Sequence, residues 1–138
     1  MKVLITGGAG FIGSHLSERH LSYGDSVSII DNLSTGSIDN LQNIEGHENF
    51  NVVIGDVLNE HEVRPLVEEC DMIYHLAAAV GVNFIIENPL TSLISNIRGT
   101  EIILELANEQ KKKVILASTS EIYGKKNGQI PFSEDSDR

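Results

Sequence analysis

Short, almost continuously apolar runs alternate along this chain with longer stretches of helical spacing. The apolar runs lie at residues 2–6, 26–30, 51–54, 71–76 and 113–117, each four to six residues long and rich in Val, Ile and Leu. Such runs predict strands covered on both faces, as in a parallel sheet. Between them the pattern predicts helices over Phe11–Ser22, Glu60–Glu69 and Pro89–Glu109. Pro89 suits a helical first turn, where its missing N–H costs nothing. Leu90, Leu93, Ile94, Ile97, Leu104 and Ala107 keep helical spacing, with extra apolar side chains at Ile102, Ile103 and Leu106. A helix with two apolar sides packs on a sheet and on something else. Strand–helix alternation of this kind predicts an α/β fold with a doubly wound parallel sheet. Residues 34–49 read as a loop or a short helix, and residues 124–138 as a polar tail without predicted elements.

At 138 residues the chain is one domain in size, without internal repeat or linker. Its formal net charge of −10 argues against nucleic acid or an anionic membrane surface as partner. It also requires that any phosphate-bearing ligand be held by backbone N–H groups and a helix dipole. No apolar run approaches the roughly 20 residues that span a bilayer. Met1 and Lys2 lead straight into the first strand without a signal-peptide pattern, so a cytoplasmic location is expected. Cys70 is the sole cysteine, expected to be an inert thiol, and the five histidines show no metal-ligand spacing, so no metal is expected. His75 reads as a structural residue at a strand end, and the Lys111–Lys113 run as a solvated helix end.

The first strand runs into Gly7-Gly8-Ala9-Gly10-Phe11-Ile12-Gly13, and a helix follows. Gly8, Gly10 and Gly13 give G-x-G-x-x-G, while Gly7, Gly10 and Gly13 give G-x-x-G-x-x-G. A tight turn, close backbone approach to a pyrophosphate, and tight helix–strand packing each demand a missing side chain. The strand before and the helix after supply the context that makes the motif informative. Asp31 ends the second strand at about the spacing expected for an acid that accepts from ribose hydroxyls. Such a carboxylate repels a 2′-phosphate, and no Arg or Lys stands between Asp31 and Phe50 to neutralise one. The expected cofactor is therefore NAD, in preference to NADP.

With these residues in place, the chain resembles the extended short-chain dehydrogenases: sugar-nucleotide epimerases, dehydratases and decarboxylases. The resemblance spans nearly the whole chain. It rests on Thr6–Gly13 with Ser14-His15, Asp31-Asn32-Leu33-Ser34-Thr35-Gly36, Gly55-Asp56-Val57, His75-Leu76-Ala77-Ala78-Ala79, Asn96-Ile97-Arg98-Gly99-Thr100 and Ala117-Ser118-Thr119-Ser120-Glu121-Ile122-Tyr123-Gly124. It implies a Rossmann sheet that stops after its fifth strand, residues 1–138 forming the NAD-binding portion. It further implies that Gly7, Gly10, Phe11, Ile12 and Gly13 meet the pyrophosphate, with Asp31, Asn32, Ser34, Thr35 and Gly36 around the adenosine ribose. Asp56 is implied at the adenine amino group and Val57 against its ring. Leu76, Ala77 and Ala78 are implied beneath the pyrophosphate and nicotinamide ribose. Asn96 is placed with the cofactor residues. Asn96 and Gly99 are poor helix formers inside the long helix, which a polar contact and a close packing point would explain.

Enzymes of this group oxidise a sugar carbon to a ketone and exploit the acidified neighbouring position. Their proton-abstracting Tyr sits in Tyr-x-x-x-Lys, a motif that Tyr23, Tyr74 and Tyr123 all fail to match. That helix and a substrate domain are expected beyond Arg138, and the 138 residues alone are expected to be inactive. Thr119 matches the residue that hydrogen-bonds the reacting hydroxyl, and Ser120 and Glu121 complete the implied catalytic set. The Thr-Ser-Glu triplet is similar to UDP-glucuronate decarboxylases and to some GDP-mannose dehydratases, which tilts the reading toward decarboxylation. The 31–36 stretch and the Ala-rich turn look as much like UDP-glucose 4-epimerases. A non-catalytic NAD-binding regulatory module is the alternative of another class. The resemblance also implies a nucleotide-sugar substrate and a homodimer built partly on the long helix.

Overall fold

The computed structural model describes residues 1–123, leaving aside the side chains of residues 82–84, 120 and 121. Five strands form one sheet: β1 (Lys2–Thr6), β2 (Ser26–Asp31), β3 (Phe50–Ile54), β4 (Met72–His75) and β5 (Lys113–Leu116). Their order is β3-β2-β1-β4-β5, and every neighbouring pair is parallel. The helices are α1 (Phe11–Ser22), α2 (Glu60–Glu69), α3 (Val82–Glu87) and α4 (Pro89–Glu109), with 3₁₀ turns at Ile38–Ile44 and Ser120–Tyr123. The doubly wound parallel sheet read from the sequence is therefore the fold.

Alternation along the strands sorts the core onto two faces. Val3, Ile5, Val27 and Ile29 point to one face, where Leu21 of α1 and Leu41 and Ile44 of the first 3₁₀ turn cover them. Leu4, Ile30 and Ile73 point to the other, beneath Val63 and Val67 of α2 and Ile102, Ile103 and Leu106 of α4. The 34–49 segment thus carries a short helical piece that contributes core residues. Its two buried apolar side chains are too few to announce a helical period.

Two boundaries bear on function. β2 extends one residue past the apolar run, because Asp31 still pairs with Ile54 in the parallel register. The sheet therefore delivers the Asp31 carboxylate at its carboxyl edge, beside the end of β1. α4 has the two faces that its pattern requires. Gly99, Ile102, Ile103, Leu106 and Ala107 are buried, whereas Leu90, Leu93, Ile94, Ile97 and Leu104 are exposed. The six-residue α3 has no counterpart in the sequence reading, being too short to show a period.

Candidate functional site

The strand order places the topological switch between β1 and β4, and ligands of open α/β sheets bind at the carboxyl ends of the strands beside such a point. Here β1 gives way to the glycine turn. Gly7 adopts φ +70°, and its N–H donates to the Ile30 carbonyl at 2.8 Å. A methyl group on Gly7 would lie 2.8 Å from the Ala77 nitrogen, so the turn packs against the chain leaving β4. A methyl on Gly13 would collide with the Gly7 carbonyl oxygen, and one on Gly8 with the Ile29 side chain. Gly10 differs: a methyl there would meet only the Gly7 oxygen, at 3.2 Å. Gly8 and Gly13 serve packing, while Gly10 presents bare backbone to the cleft.

Gly10 is also the N-cap of α1, and it makes no side-chain cap bond. No acidic side chain stands in the first turn, so the positive end of the helix dipole is not neutralised there and suits an anion. Phe11 and Ile12, 78% and 65% exposed, flank this helix start.

Asp31 is buried and turned toward the turn. Its Oδ2 accepts from the Ala9 N–H at 2.9 Å and its Oδ1 from the Leu33 N–H at 2.8 Å. A carboxylate offers about four acceptor positions, so each oxygen keeps one for a ribose hydroxyl. The Ala9 carbonyl accepts from the Ser37 N–H at 3.0 Å and from Asn40 Nδ2 at 2.8 Å. Gly36 packs on the same peptide, where a methyl would lie 2.9 Å from the Ala9 carbonyl carbon. Ala9 of the glycine turn is thus held through both its N–H and its carbonyl, in two successive peptide units. Asn40 went unnoticed in the sequence, since a lone polar residue in a polar loop carries no signal.

The adenosine end is assembled from the loops after β2 and β3. Asn32 Nδ2 donates to Asp56 Oδ2 at 2.9 Å, and Asn32 Oδ1 accepts from the Ser34 N–H at 3.0 Å. Asp56 Oδ1 accepts from the Leu58 N–H, and the Asp56 N–H donates to Glu62 Oε2 at 3.0 Å. Glu62, a further residue missed in the sequence, reaches back from α2 over Gly55, where any side chain would strike it. Ser34 and Thr35 are exposed at the lip. Val57 is packed beneath α4, and a methyl on Gly99 would lie 2.9 Å from its Cγ2. Gly99 is therefore the close packing point expected of it. Asn96 makes the expected polar contact, gripping the Ala79 backbone: Oδ1 accepts from its N–H at 2.7 Å and Nδ2 donates to its carbonyl at 3.4 Å.

Leu76, Ala77 and Ala78 follow β4 alongside the glycine turn, and the Leu76 and Ala77 N–H groups both donate to Thr6 Oγ1 at 3.1 Å. Thr119 lies just past β5 at the same sheet edge and opens the second 3₁₀ turn, its carbonyl accepting from the Ile122 N–H. Ser120 and Glu121 belong to that turn, but their side chains lie outside the described residues. Among the described residues no group of three or more His, Cys, Asp or Glu could hold a metal ion, and no helix is long and apolar enough to cross a membrane. A cavity of about 210 Å³ lined by Lys2, Ser28, Asn49, Glu69 and Cys70 lies at the opposite, amino-terminal ends of the strands.

His75 is buried behind the site, and burial pushes its imidazole down to about 4. Folded protein then holds the ring neutral where the unfolded chain, near 6.5, takes up a proton. The stabilisation is complete above pH ~6.5 and is lost as the pH falls toward 4, by roughly 3 kcal/mol. Denaturant unfolding should therefore show stability falling more steeply over this range than in a His75→Gln variant. Parallel pH profiles would contradict this.

The GDP-mannose 4,6-dehydratase family model matches residues 4–137. The chain is 44% identical over 137 residues to the UDP-N-acetyl-alpha-D-glucosaminuronate decarboxylase of Bacillus cytotoxicus, covering 99% of this chain and 41% of that protein. It is 43% identical over 123 residues to UDP-glucuronic acid decarboxylase 1 of Danio rerio, covering 89% of this chain and 28% of the relative. Among solved structures it superposes on the dTDP-glucose 4,6-dehydratase DesIV of Streptomyces venezuelae, with NAD and TYD bound, at a TM-score of 0.86 and 31% identity. That match covers 99% of this chain and 45% of DesIV. It also superposes on the Thermotoga maritima UDP-glucose 4-epimerase with UDP-glucose, at a TM-score of 0.83 and 30% identity over 99% of this chain and 44% of the epimerase. The chain thus spans less than half the length of each of these proteins.

Proposed function

The chain belongs to the GDP-mannose 4,6-dehydratase family, and from that premise we propose that the whole protein binds NAD and decarboxylates a UDP-linked uronic acid. The observation that carries the cofactor reading is the buried Asp31 carboxylate, bonded to the Ala9 N–H beside the bare backbone of Gly10. The start of α1 would hold the pyrophosphate, Asp31 the adenosine ribose, and the Asn32–Asp56 pair the adenine edge. When bound, NAD supplies a hydride acceptor for oxidation of a sugar hydroxyl to a ketone. Thr119, at the sheet edge beyond β5, is assigned the hydrogen bond to that hydroxyl. Glu121 is assigned an acid/base or substrate-holding role beside it. A ketone β to the uronic carboxylate would provide the electron sink through which CO₂ leaves, a proton taking its place on carbon. Return of the hydride to the ketone would leave loss of CO₂ as the net change.

The lean to decarboxylation rests on Thr119-Ser120-Glu121 and on the two decarboxylase relatives. Mass spectrometry of the whole protein incubated with UDP-glucuronate, UDP-N-acetylglucosaminuronate, UDP-glucose and GDP-mannose tests it. A product lighter by one CO₂ from a uronic acid is expected. Loss of water from GDP-mannose, or conversion of UDP-glucose to an isomer of equal mass resolved by chromatography ahead of the spectrometer, would overturn the decarboxylase assignment. NAD binding without any turnover would instead mark a non-catalytic module.

We further propose a homodimer formed through the exposed Leu90, Leu93, Ile94 and Ile97 of α4, since monomers rarely leave contiguous apolar stripes bare. Leu93→Lys should convert a dimer to a monomer in light scattering. An unchanged mass for the variant would contradict this surface.

A further inference from the structure

Behind the cofactor cleft a single line of hydrogen bonds crosses from β1 through β4 to α4. Thr6 Oγ1, fully buried, lies 2.7 Å from His75 Nδ1. His75 Nε2 lies 3.1 Å from Thr100 Oγ1, which lies 2.7 Å from the Asn96 carbonyl oxygen. The same Asn96 grips the Ala79 backbone with its side chain. At the other end Thr6 Oγ1 receives the Leu76 and Ala77 N–H groups.

The direction of every bond follows from the two ends. A backbone N–H only donates, so Thr6 Oγ1 is the acceptor for Leu76 and Ala77, and its own hydrogen is left for His75 Nδ1. A carbonyl only accepts, so the Thr100 hydroxyl hydrogen goes to Asn96, and Thr100 Oγ1 must receive the His75 Nε2–H. One tautomer, the neutral Nε2–H imidazole, satisfies the whole line. A second ring proton at Nδ1 would face a hydroxyl oxygen that already accepts two N–H groups.

We propose that His75 is a positioning residue for the cofactor site: with Thr6 and Thr100 it fixes the backbone of residues 76–79 and ties that backbone to α4. The proposal rests on the reading that this backbone runs beneath the pyrophosphate and nicotinamide ribose. Its distinctive content is directional. Thr100 acts at a distance from the cleft by holding the Nε2–H, which leaves Nδ1 as the acceptor that orients the Thr6 hydroxyl and hence the Leu76 and Ala77 N–H groups. Serine at position 6 or 100 keeps the hydroxyl, whereas valine keeps the shape and removes it.

The test combines ¹⁵N NMR of the imidazole with calorimetric titration of NAD, on the whole protein and its Thr100→Val, Thr100→Ser, Thr6→Val and His75→Leu variants. The expected result is a neutral ring unprotonated at Nδ1 in the parent and in Thr100→Ser. NAD affinity is expected to fall about tenfold in Thr100→Val, the loss of roughly one well-made hydrogen bond, and to be restored in Thr100→Ser. Thr6→Val, which also takes the acceptor from the Leu76 and Ala77 N–H groups, should lose at least as much. His75→Leu should lose affinity to a similar degree while circular dichroism keeps the parent spectrum. Should His75→Leu not fold, the two valine variants decide. A proton on Nδ1 in the parent, or valine variants that bind NAD as the parent does, would overturn the proposal. A parent that binds no NAD would overturn the cofactor reading and this inference together, which separates that failure from a failure of His75 alone.

Discussion

Gly13→Val is expected to weaken NAD binding by at least about 100-fold in calorimetric titration and to cost several kcal/mol of stability. The Cβ would fall on the Gly7 carbonyl oxygen and 2.7 Å from the Gly8 Cα. Both are backbone atoms of the tightest turn in the site, and neither can swing aside as a side-chain terminus could. Relief requires α1 to move away from the end of β1, and overpacking of this kind costs about 1–3 kcal/mol or more. The same movement tilts the first-turn N–H groups away from the place where a pyrophosphate would lie. Gly24→Ala provides the contrast. Gly24 has φ +79° but nothing within 4 Å of an added methyl, so a conformational cost of about 1 kcal/mol and parent-like NAD affinity are expected. Equal effects of the two substitutions would contradict the close packing of Gly13 on the glycine turn as the source of its effect.

Asp31→Ala should be nearly as severe, for a different reason. It strips acceptors from the Ala9 and Leu33 N–H groups, and a buried polar group left unsatisfied costs about 1–3 kcal/mol. It also removes the carboxylate assigned to the ribose hydroxyls. A stability loss of about 2–4 kcal/mol and an affinity loss of at least ~30-fold for NAD are expected, measured by denaturant unfolding and titration. Loss of stability with unchanged affinity would make Asp31 a loop anchor and nothing more.

The glycine turn, Asp31 and the sheet were legible because each leaves a local trace: missing side chains at fixed spacing, an acid at a strand end, apolar runs of strand length. Gly99 and Asn96 were legible as poor helix formers in a long helix, and the structure supplies the reason, Val57 beneath one and the Ala79 backbone beside the other. Two of the contacts that escaped join residues remote in the chain. Asn40 reaches 31 residues back to the Ala9 carbonyl, and Thr6 and His75, 69 residues apart, meet only because β1 and β4 pair in parallel. Glu62 looked like any acidic residue in a helical first turn, though its carboxylate holds the Asp56 N–H. The Asn40 and Thr6–His75 contacts depend on packing and register between distant elements, which no local pattern in one sequence encodes. His75 was read as structural from its place at a strand end, and its burial and closed hydrogen bonds agree with that reading while giving the residue a directional role.

Parallel calorimetric titrations of the whole protein with NAD and with NADP test the central claim most directly. Asp31 faces the glycine turn, and no Arg or Lys between it and Phe50 can neutralise a 2′-phosphate. Juxtaposed like charges cost several kcal/mol, so NAD should bind at least ~100-fold more tightly than NADP. Equal or tighter binding of NADP would contradict the account.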